Sequence, residues 1–219
     1  MTQQSTLAAA ILAGGRARRL GHVNKATLAL GRTEIIDRQL LALRDVASPV
    51  FVVGAESEAW TARGLVAVQD EIPGAGALGG IYTAIVRSPC DRTLVLACDM
   101  PFVSAAFLQR LAAEVSADAV IPHGHRGYEP LCAIYSRACA PEMLARLERG
   151  ELQASVPPSG VRVVEIGPES ISRYDPHGLI FMNVNTPHDY ERARELLDLS
   201  FDSNHESTED RITSERSRT

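Results

Sequence analysis

The sequence predicts an α/β fold built on a mostly parallel sheet with helices on both faces. Three observations carry that prediction. Short, almost wholly apolar runs such as Leu7–Leu12 and 93–97 read as strands buried on both sides. Stretches with apolar residues at helical spacing separate them, and this alternation is the rhythm of βαβ units. The length of 219 residues suits one such domain, because a chain of this size buries most of the surface its unfolded form exposes.

Taken in order, Leu7–Leu12 is the first strand, followed by Gly14-Gly15 and a basic loop. Residues 34–44 (EIIDRQLLALR) place apolar side chains on one helical face. A strand at 49–54, a helix over 56–63 and a strand over 65–69 follow. A glycine-rich turn at 74–80 opens a helix from Leu78 to Arg87. Residues 93–99 (TLVLACD) form a strand ending on an acid, 104–115 a helix and 118–122 a strand. After Pro122 the rhythm changes to an extended 131–135, a helix over 141–149, a strand over 161–166, and FMNVN (181–185) as a strand leading into a helix over 187–199. These later strands are expected to join the same sheet, giving one domain over 1–199. Residues 200–219 hold almost nothing apolar and mix both charges, which predicts a disordered tail.

With 22 basic and 27 acidic residues the formal net charge is −5, which argues against a dedicated nucleic-acid or membrane binder. The four cysteines (Cys90, Cys98, Cys132, Cys139) lack zinc spacing and are expected as thiols in a reducing compartment. The run Leu7–Ala13 is too short for a membrane span and has its arginines on the wrong side for a signal peptide. A cytoplasmic location is the expectation.

The basic residues are unevenly placed. Lys25 is the single lysine against 21 arginines, and residues 16–25 carry +4 with no acid. This stretch follows strand one directly. In parallel sheets, ligands sit beyond the carboxyl ends of strands, where glycines let backbone approach a phosphate. Gly14 and Gly15 with Arg16, Arg18, Arg19 and Lys25 therefore read as a polyphosphate loop rather than a solvated basic loop. It is not a P-loop, since Val23-Asn24-Lys25-Ala26-Thr27 lacks the Gly-Lys-Ser/Thr run. GAGALG (74–79) matches GxGxxG, yet Asp70–Pro73 separates it from the preceding strand, so the dinucleotide reading is rejected. Its glycines serve a positive-φ turn or let backbone pass close to a base or sugar.

Asp99, in ACDMPF, ends a strand at the same edge, where a single carboxylate together with substrate phosphates could hold Mg2+. Ser104 is better placed than Asp99 to cap the next helix. Cys98 reads as a core thiol. Asn183 and Asn185 are expected to share one face of a strand, with Thr186-Pro187 starting the next helix. His123 and His125 lack a third ligand and read as surface residues.

Together LAGGRARRLGHVNKATLAL, CDMPF and FMNVNTP resemble the nucleotidyltransferases, and within them the molybdenum cofactor guanylyltransferase family, over roughly residues 7–198. The resemblance implies a Rossmann-like three-layer α/β sandwich. It implies transfer of GMP from GTP to molybdopterin cofactor with release of pyrophosphate and use of Mg2+. It assigns Leu12, Ala13, Gly14, Gly15, Lys25, Gly54, Asp70 and Asp99 to the nucleotide, with Lys25, Arg19 and Asp99 catalytic and Asp99 also on the metal. Glu129, Pro130, Asn183 and Asn185 resemble the pterin side. Molybdoenzymes or their chaperones are further implied partners. Two departures stand out: Gly54 falls where members often carry Asn, and Asn24 where they usually carry an acid. A cytidylyltransferase on the same pterin, a sugar-phosphate nucleotidyltransferase and a non-catalytic nucleotide-binding adaptor remain the alternatives.

Overall fold

The computed structural model describes residues 7–13 and 25–197. The loop positions Gly14, Gly15, Arg16, Arg18, Arg19 and Asn24, and the tail expected at 200–219, lie outside the described residues.

Strands β1 (Leu7–Leu12), β4 (Val50–Val53), β5 (Val66–Val68), β6 (Arg92–Ala97), β7 (Ala119–Gly124), β9 (Cys132–Ser136) and β10 (Val163–Ile166) lie in the order β10-β7-β9-β6-β1-β4-β5. A short β8 (Gly127–Tyr128) pairs with β7, and β2 (Ala29–Leu30) with β3 (Thr33–Glu34) forms a separate hairpin. The helices are α1 (Ile35–Leu43), α2 (Glu58–Thr61), α3 (Gly76–Arg87), α4 (Ala105–Ala112), α5 (Ala140–Glu148), α6 (Pro168–Ser172) and α7 over 187–197. Among the described residues no helix is long and apolar enough to cross a membrane.

Along the seven-strand path pairing is parallel except at β9, which runs antiparallel to both β6 and β7; the short β8 is also antiparallel to β7. The strands after Pro122 therefore do join the one sheet. From β1 the chain crosses through α1 to β4 and β5, then returns through α3 to β6 on the other side of β1. Leu12 is in register with both Val53 and Ala97, so the strand order reverses across an even carboxyl edge. Such a reversal opens a crevice for ligands.

The three-layer arrangement follows from period-two burial. Leu7, Ala9 and Ile11 of β1 share a core with Ile36 and Leu43 of α1, Trp60 of α2, and Phe107, Leu108 and Leu111 of α4. Ala8 and Ala10 face the opposite core, with Leu78, Ile81 and Ile85 of α3 and Met143 and Leu147 of α5. The three alanines are fully buried, and their small side chains let helices close on the strand from both sides. Gly80 does the same from the helix: a Cβ there would stand 3.1 Å from Leu12 Cδ1.

Several boundaries differ from expectation. Strand 93–99 ends at Ala97: Cys98 N–H still donates to the Leu12 carbonyl (3.2 Å), but Cys98 and Asp99 lie in the turn that follows. Residues 181–185 are not a strand: Phe181 lies in a turn, and 182–185 pair with no strand, Val184 N–H donating only to the Asp99 carbonyl (2.9 Å). The β2–β3 hairpin, β8 and α6 were too short to show a period. Leu30, Ile35, Val184, Ala193 and Leu197 form a third, small core that docks α7 on that hairpin, and Tyr190 OH donates to the Ala29 carbonyl at 2.6 Å.

Candidate active site

The carboxyl edge gathers most of the described candidates. Reading across it, Asp70 follows β5, Gly54 follows β4, Leu12 and Ala13 close β1, and Asp99 follows β6. Glu129 and Pro130 precede the antiparallel β9, whose start lies at the same edge, since Ala97 N–H donates to the Leu131 carbonyl (2.8 Å). Three strand spacings separate Asp70 from Asp99, about 14 Å. A nucleoside triphosphate can lie along such a span.

Asp99 sits in a turn held from several directions. Its carbonyl accepts from Val184 N–H, and its Oδ2 lies 3.2 Å from Lys25 Nζ. Both side chains of this pair are mostly buried, 14% exposed for Lys25 and 15% for Asp99. Lys25, which opens a one-turn 3-10 helix over Lys25–Thr27, also donates to Asn185 Oδ1. Two of the three ammonium donors are thus directed at these oxygens. One amine joins segments 74 and 160 residues away in sequence.

Asn185 is held in turn. Asp189 Oδ2 accepts from the N–H groups of Asn185 (3.0 Å) and Thr186 (2.8 Å), and Asp189 N–H donates to Thr186 Oγ1 (3.2 Å). This reciprocal cap starts α7, with Pro187 in its first turn. Asn183 shares the exposed side with Asn185 while Val184 is buried, as the alternation predicted, but Asn183 has no hydrogen-bonding partner among the described side chains.

Gly54 has φ +150°, and a Cβ there would stand 3.3 Å from the Ala13 carbonyl carbon. The position therefore shapes the floor beside β1, and any ligand contact at Gly54 must come through its backbone. Asp70 is half-buried, and desolvation raises its carboxyl above the ordinary range. Burial also raises Glu129, partly offset by Arg126. In the glycine-rich turn, Gly74 (φ +84°) and Gly76 (φ +64°) occupy the left-handed region. Gly79 serves packing, since a Cβ there would meet Ala75 Cβ at 2.6 Å.

Two buried polar residues, passed over in the sequence, grip the backbone next to the two acids. Gln39 Nε2 of α1 donates to the carbonyls of Ala97 (2.7 Å) and Met100 (3.1 Å). Thr83 Oγ1 of α3 accepts from Glu71 N–H (3.0 Å) and donates to the Gly79 carbonyl (2.8 Å). The available signal was a polar residue inside an apolar helical stripe, Gln39 among Ile35, Ile36, Ala42 and Leu43.

Burial pushes the Cys98 thiol up to about 12, which keeps it protonated and unreactive at neutral pH. Ser104, not Asp99, caps α4, with its hydroxyl accepting from Phe107 N–H at 3.3 Å. His123 is stacked on Tyr128, with ring centroids 4.3 Å apart, and its Nδ1 lies 3.9 Å from Glu165. Among the described residues no group of three or more His, Cys, Asp or Glu could hold a metal. Mg2+ is satisfied by one or two carboxylates plus phosphates and waters. The single carboxylate of Asp99 fits such an ion when a nucleotide supplies much of the shell.

A three-layer α/β sheet with its strand reversal beneath a lysine–carboxylate pair defines a nucleotide-handling fold of the transferase kind. A family model described as "MobA-like NTP transferase domain" matches residues 9–159, and the chain belongs to that family. It is therefore a nucleotidyltransferase by family. Among its relatives is the "Probable molybdenum cofactor guanylyltransferase" of Pelotomaculum thermopropionicum, 33% identical over 87% of this chain and 93% of that protein. The "Molybdenum cofactor guanylyltransferase" of Desulfosudis oleivorans is 30% identical over 85% and 94%. The crystal structure of "Molybdopterin-guanine dinucleotide biosynthesis protein A" from Archaeoglobus fulgidus superposes with a TM-score of 0.73 at 28% identity, covering 87% of this chain and 98% of its own.

Proposed function

We propose that this protein transfers GMP from GTP to the terminal phosphate of molybdenum cofactor, forming the guanine dinucleotide cofactor and releasing pyrophosphate. The observation that carries this reading is Lys25, whose ammonium lies between Asp99 and Asn185. That contact joins the nucleotide half of the crevice to the half assigned to the acceptor. The names of the relatives support the choice of guanine and pterin.

A phosphate oxygen of the acceptor attacks the α-phosphorus of GTP. The new P–O bond forms as the bond to the β-phosphate oxygen breaks, and that electron pair leaves with pyrophosphate. The nucleophile is already anionic at neutral pH, so no general base is needed and catalysis consists of positioning and charge neutralisation. Leu12, Ala13 and Gly54 offer backbone to the nucleotide, and Asp70 accepts from its N–H or O–H groups. Lys25 stabilises charge on the departing pyrophosphate, aided by Gly14, Gly15 and Arg19 of the basic loop. Glu129, Pro130, Asn183 and Asn185 face the acceptor. Asp99 would hold Mg2+, which supplies neutralisation of phosphate charge when bound.

We further read residues 1–199 as one domain, since all described strands except the β2–β3 hairpin lie in one sheet packed between two cores, and the hairpin packs against α1 and α7 through a third. Cytoplasmic residence fits Cys98, Cys132 and Cys139, which form no disulfide. Molybdoenzymes or their chaperones would receive the product. Pyrophosphate release measured with each nucleoside triphosphate, with and without molybdenum cofactor, tests the reading. Release with GTP only when cofactor is present is the expected result. Preference for CTP would make the protein a cytidylyltransferase, and GTP binding without release would make it an adaptor.

A further inference from the structure

We infer that Gln39 is a positioning residue for Asp99, acting from beneath the site through the backbone rather than on substrate. This rests on the guanylyl-transfer reading for its consequence in turnover, but not for its structural basis.

Gln39 lies in the middle of α1 and is fully buried. Its apolar neighbours on the same stripe, Ile36 and Leu43, belong to the core under the sheet. An amide in such a stripe gives up hydration and must recover it through hydrogen bonds. Gln39 recovers only half. Nε2 donates to the Ala97 and Met100 carbonyls, whereas Oε1 is buried with no hydrogen-bond partner among the described residues. A leucine or methionine would remove the orphaned oxygen but leave the Ala97 and Met100 carbonyls without their donor, so glutamine is called for by the turn and not by the apolar core around it.

What the amide accomplishes is local. Ala97 is the last residue of β6, and Met100 is the first residue after Cys98 and Asp99. The two Nε2 bonds therefore close a bracket around the acid-bearing turn at the point where ladder hydrogen bonding stops. Val184 N–H holds the Asp99 carbonyl as well. The turn is thus held by both α1 and the 181–185 segment, leaving the Asp99 carboxylate to meet Lys25. A reacting group misplaced by about 1 Å can cost about 100-fold in rate, which gives such a clamp its value.

The test is Gln39→Met, which preserves length and removes both donors, with Gln39→Leu as a second variant. Hydrogen exchange of the peptide spanning 97–103 should accelerate while exchange in β1 and α4 is unchanged. The melting temperature should fall, because two buried carbonyls lose their donor while only one orphaned oxygen is removed. The kcat should fall by about 10- to 100-fold with the KM for GTP moving by less than about threefold. In an Asp99→Asn background the same substitution should cost nothing further. Unchanged exchange at 97–103 overturns the clamp, as does a kcat loss of equal size in both backgrounds. If the wild-type protein releases no pyrophosphate from any nucleotide, the guanylyl-transfer reading fails, and the exchange comparison still decides whether Gln39 holds the turn.

Discussion

Asp99 and Asp70 occupy the same edge of the same sheet, yet their surroundings are built on opposite principles. Asp99 is fixed by an amine on its carboxylate, an amide on its carbonyl and a glutamine bracketing its turn. Asp70 has no ion pair among the described residues; its carboxyl is raised by burial alone, and the nearest hold is Thr83 on the following Glu71 N–H. A carboxylate already paired in the free protein is a fixture, around which phosphate chemistry can be arranged without reorganisation. A partly desolvated carboxylate with no cation beside it among the described residues leaves its acceptor sites open to donors such as those of a ribose or a base. On the proposed function, the reacting end of the crevice is preorganised and the recognising end would be completed by its ligand.

The largest break in this contrast is Asp99→Ala, expected to lower kcat by at least about 1,000-fold in the pyrophosphate-release assay while circular dichroism shows the fold retained. Retention of wild-type turnover would remove Asp99 from the reaction. Next is Lys25→Arg, which keeps charge but replaces a compact ammonium with a planar fork; a loss of about 10- to 100-fold in kcat is expected. Full activity there would show that the Asp99–Lys25–Asn185 contact needs only a cation. Gly54→Ala probes the floor between the two acids. Its φ of +150° and the 3.3 Å approach to Ala13 predict a destabilisation of about 1–3 kcal/mol, read from urea midpoints.

Asp70→Asn should give the smallest change, raising the KM for GTP by about tenfold with kcat nearly constant. Its sign in stability is opposite to that of a paired acid. Because the folded carboxyl is raised, the folded state binds more protons than the unfolded state, so wild-type stability declines as pH climbs above the ordinary carboxylate value. Asparagine avoids that decline. The advantage of Asp70→Asn in urea melts should therefore appear at neutral pH and vanish at strongly acidic pH.

The two ends were also unequally legible in the sequence. Asp99 could be singled out because it closes an apolar strand beside a loop of clustered positive charge, both local features. Asp70 stood out only through resemblance, since nothing in its neighbours distinguishes it from a loop acid. The expectation of a strand at 181–185 failed for an instructive reason. FMNVN has the right alternation, and Val184 is indeed turned inward, but a strand is defined by a partner, and the chain here meets only one carbonyl of a turn. Gln39 and Thr83 were missed because helical periodicity says which face a residue lies on, not which orphaned backbone group waits there.

Sequence by itself determined the alternation of strands and helices, the burial of the sheet on both faces, and the residue types assembled for phosphate chemistry, because hydrophobic period and charge clustering are local properties. Only the tertiary structure decided which of those residues meet. The strand order and the antiparallel run of β9 bring Glu129 beside β6, and the docking of α7 on the β2–β3 hairpin brings Asn185 to Lys25. Contacts across 74 and 160 residues depend on how layers stack and where strand order reverses, and no local pattern encodes that.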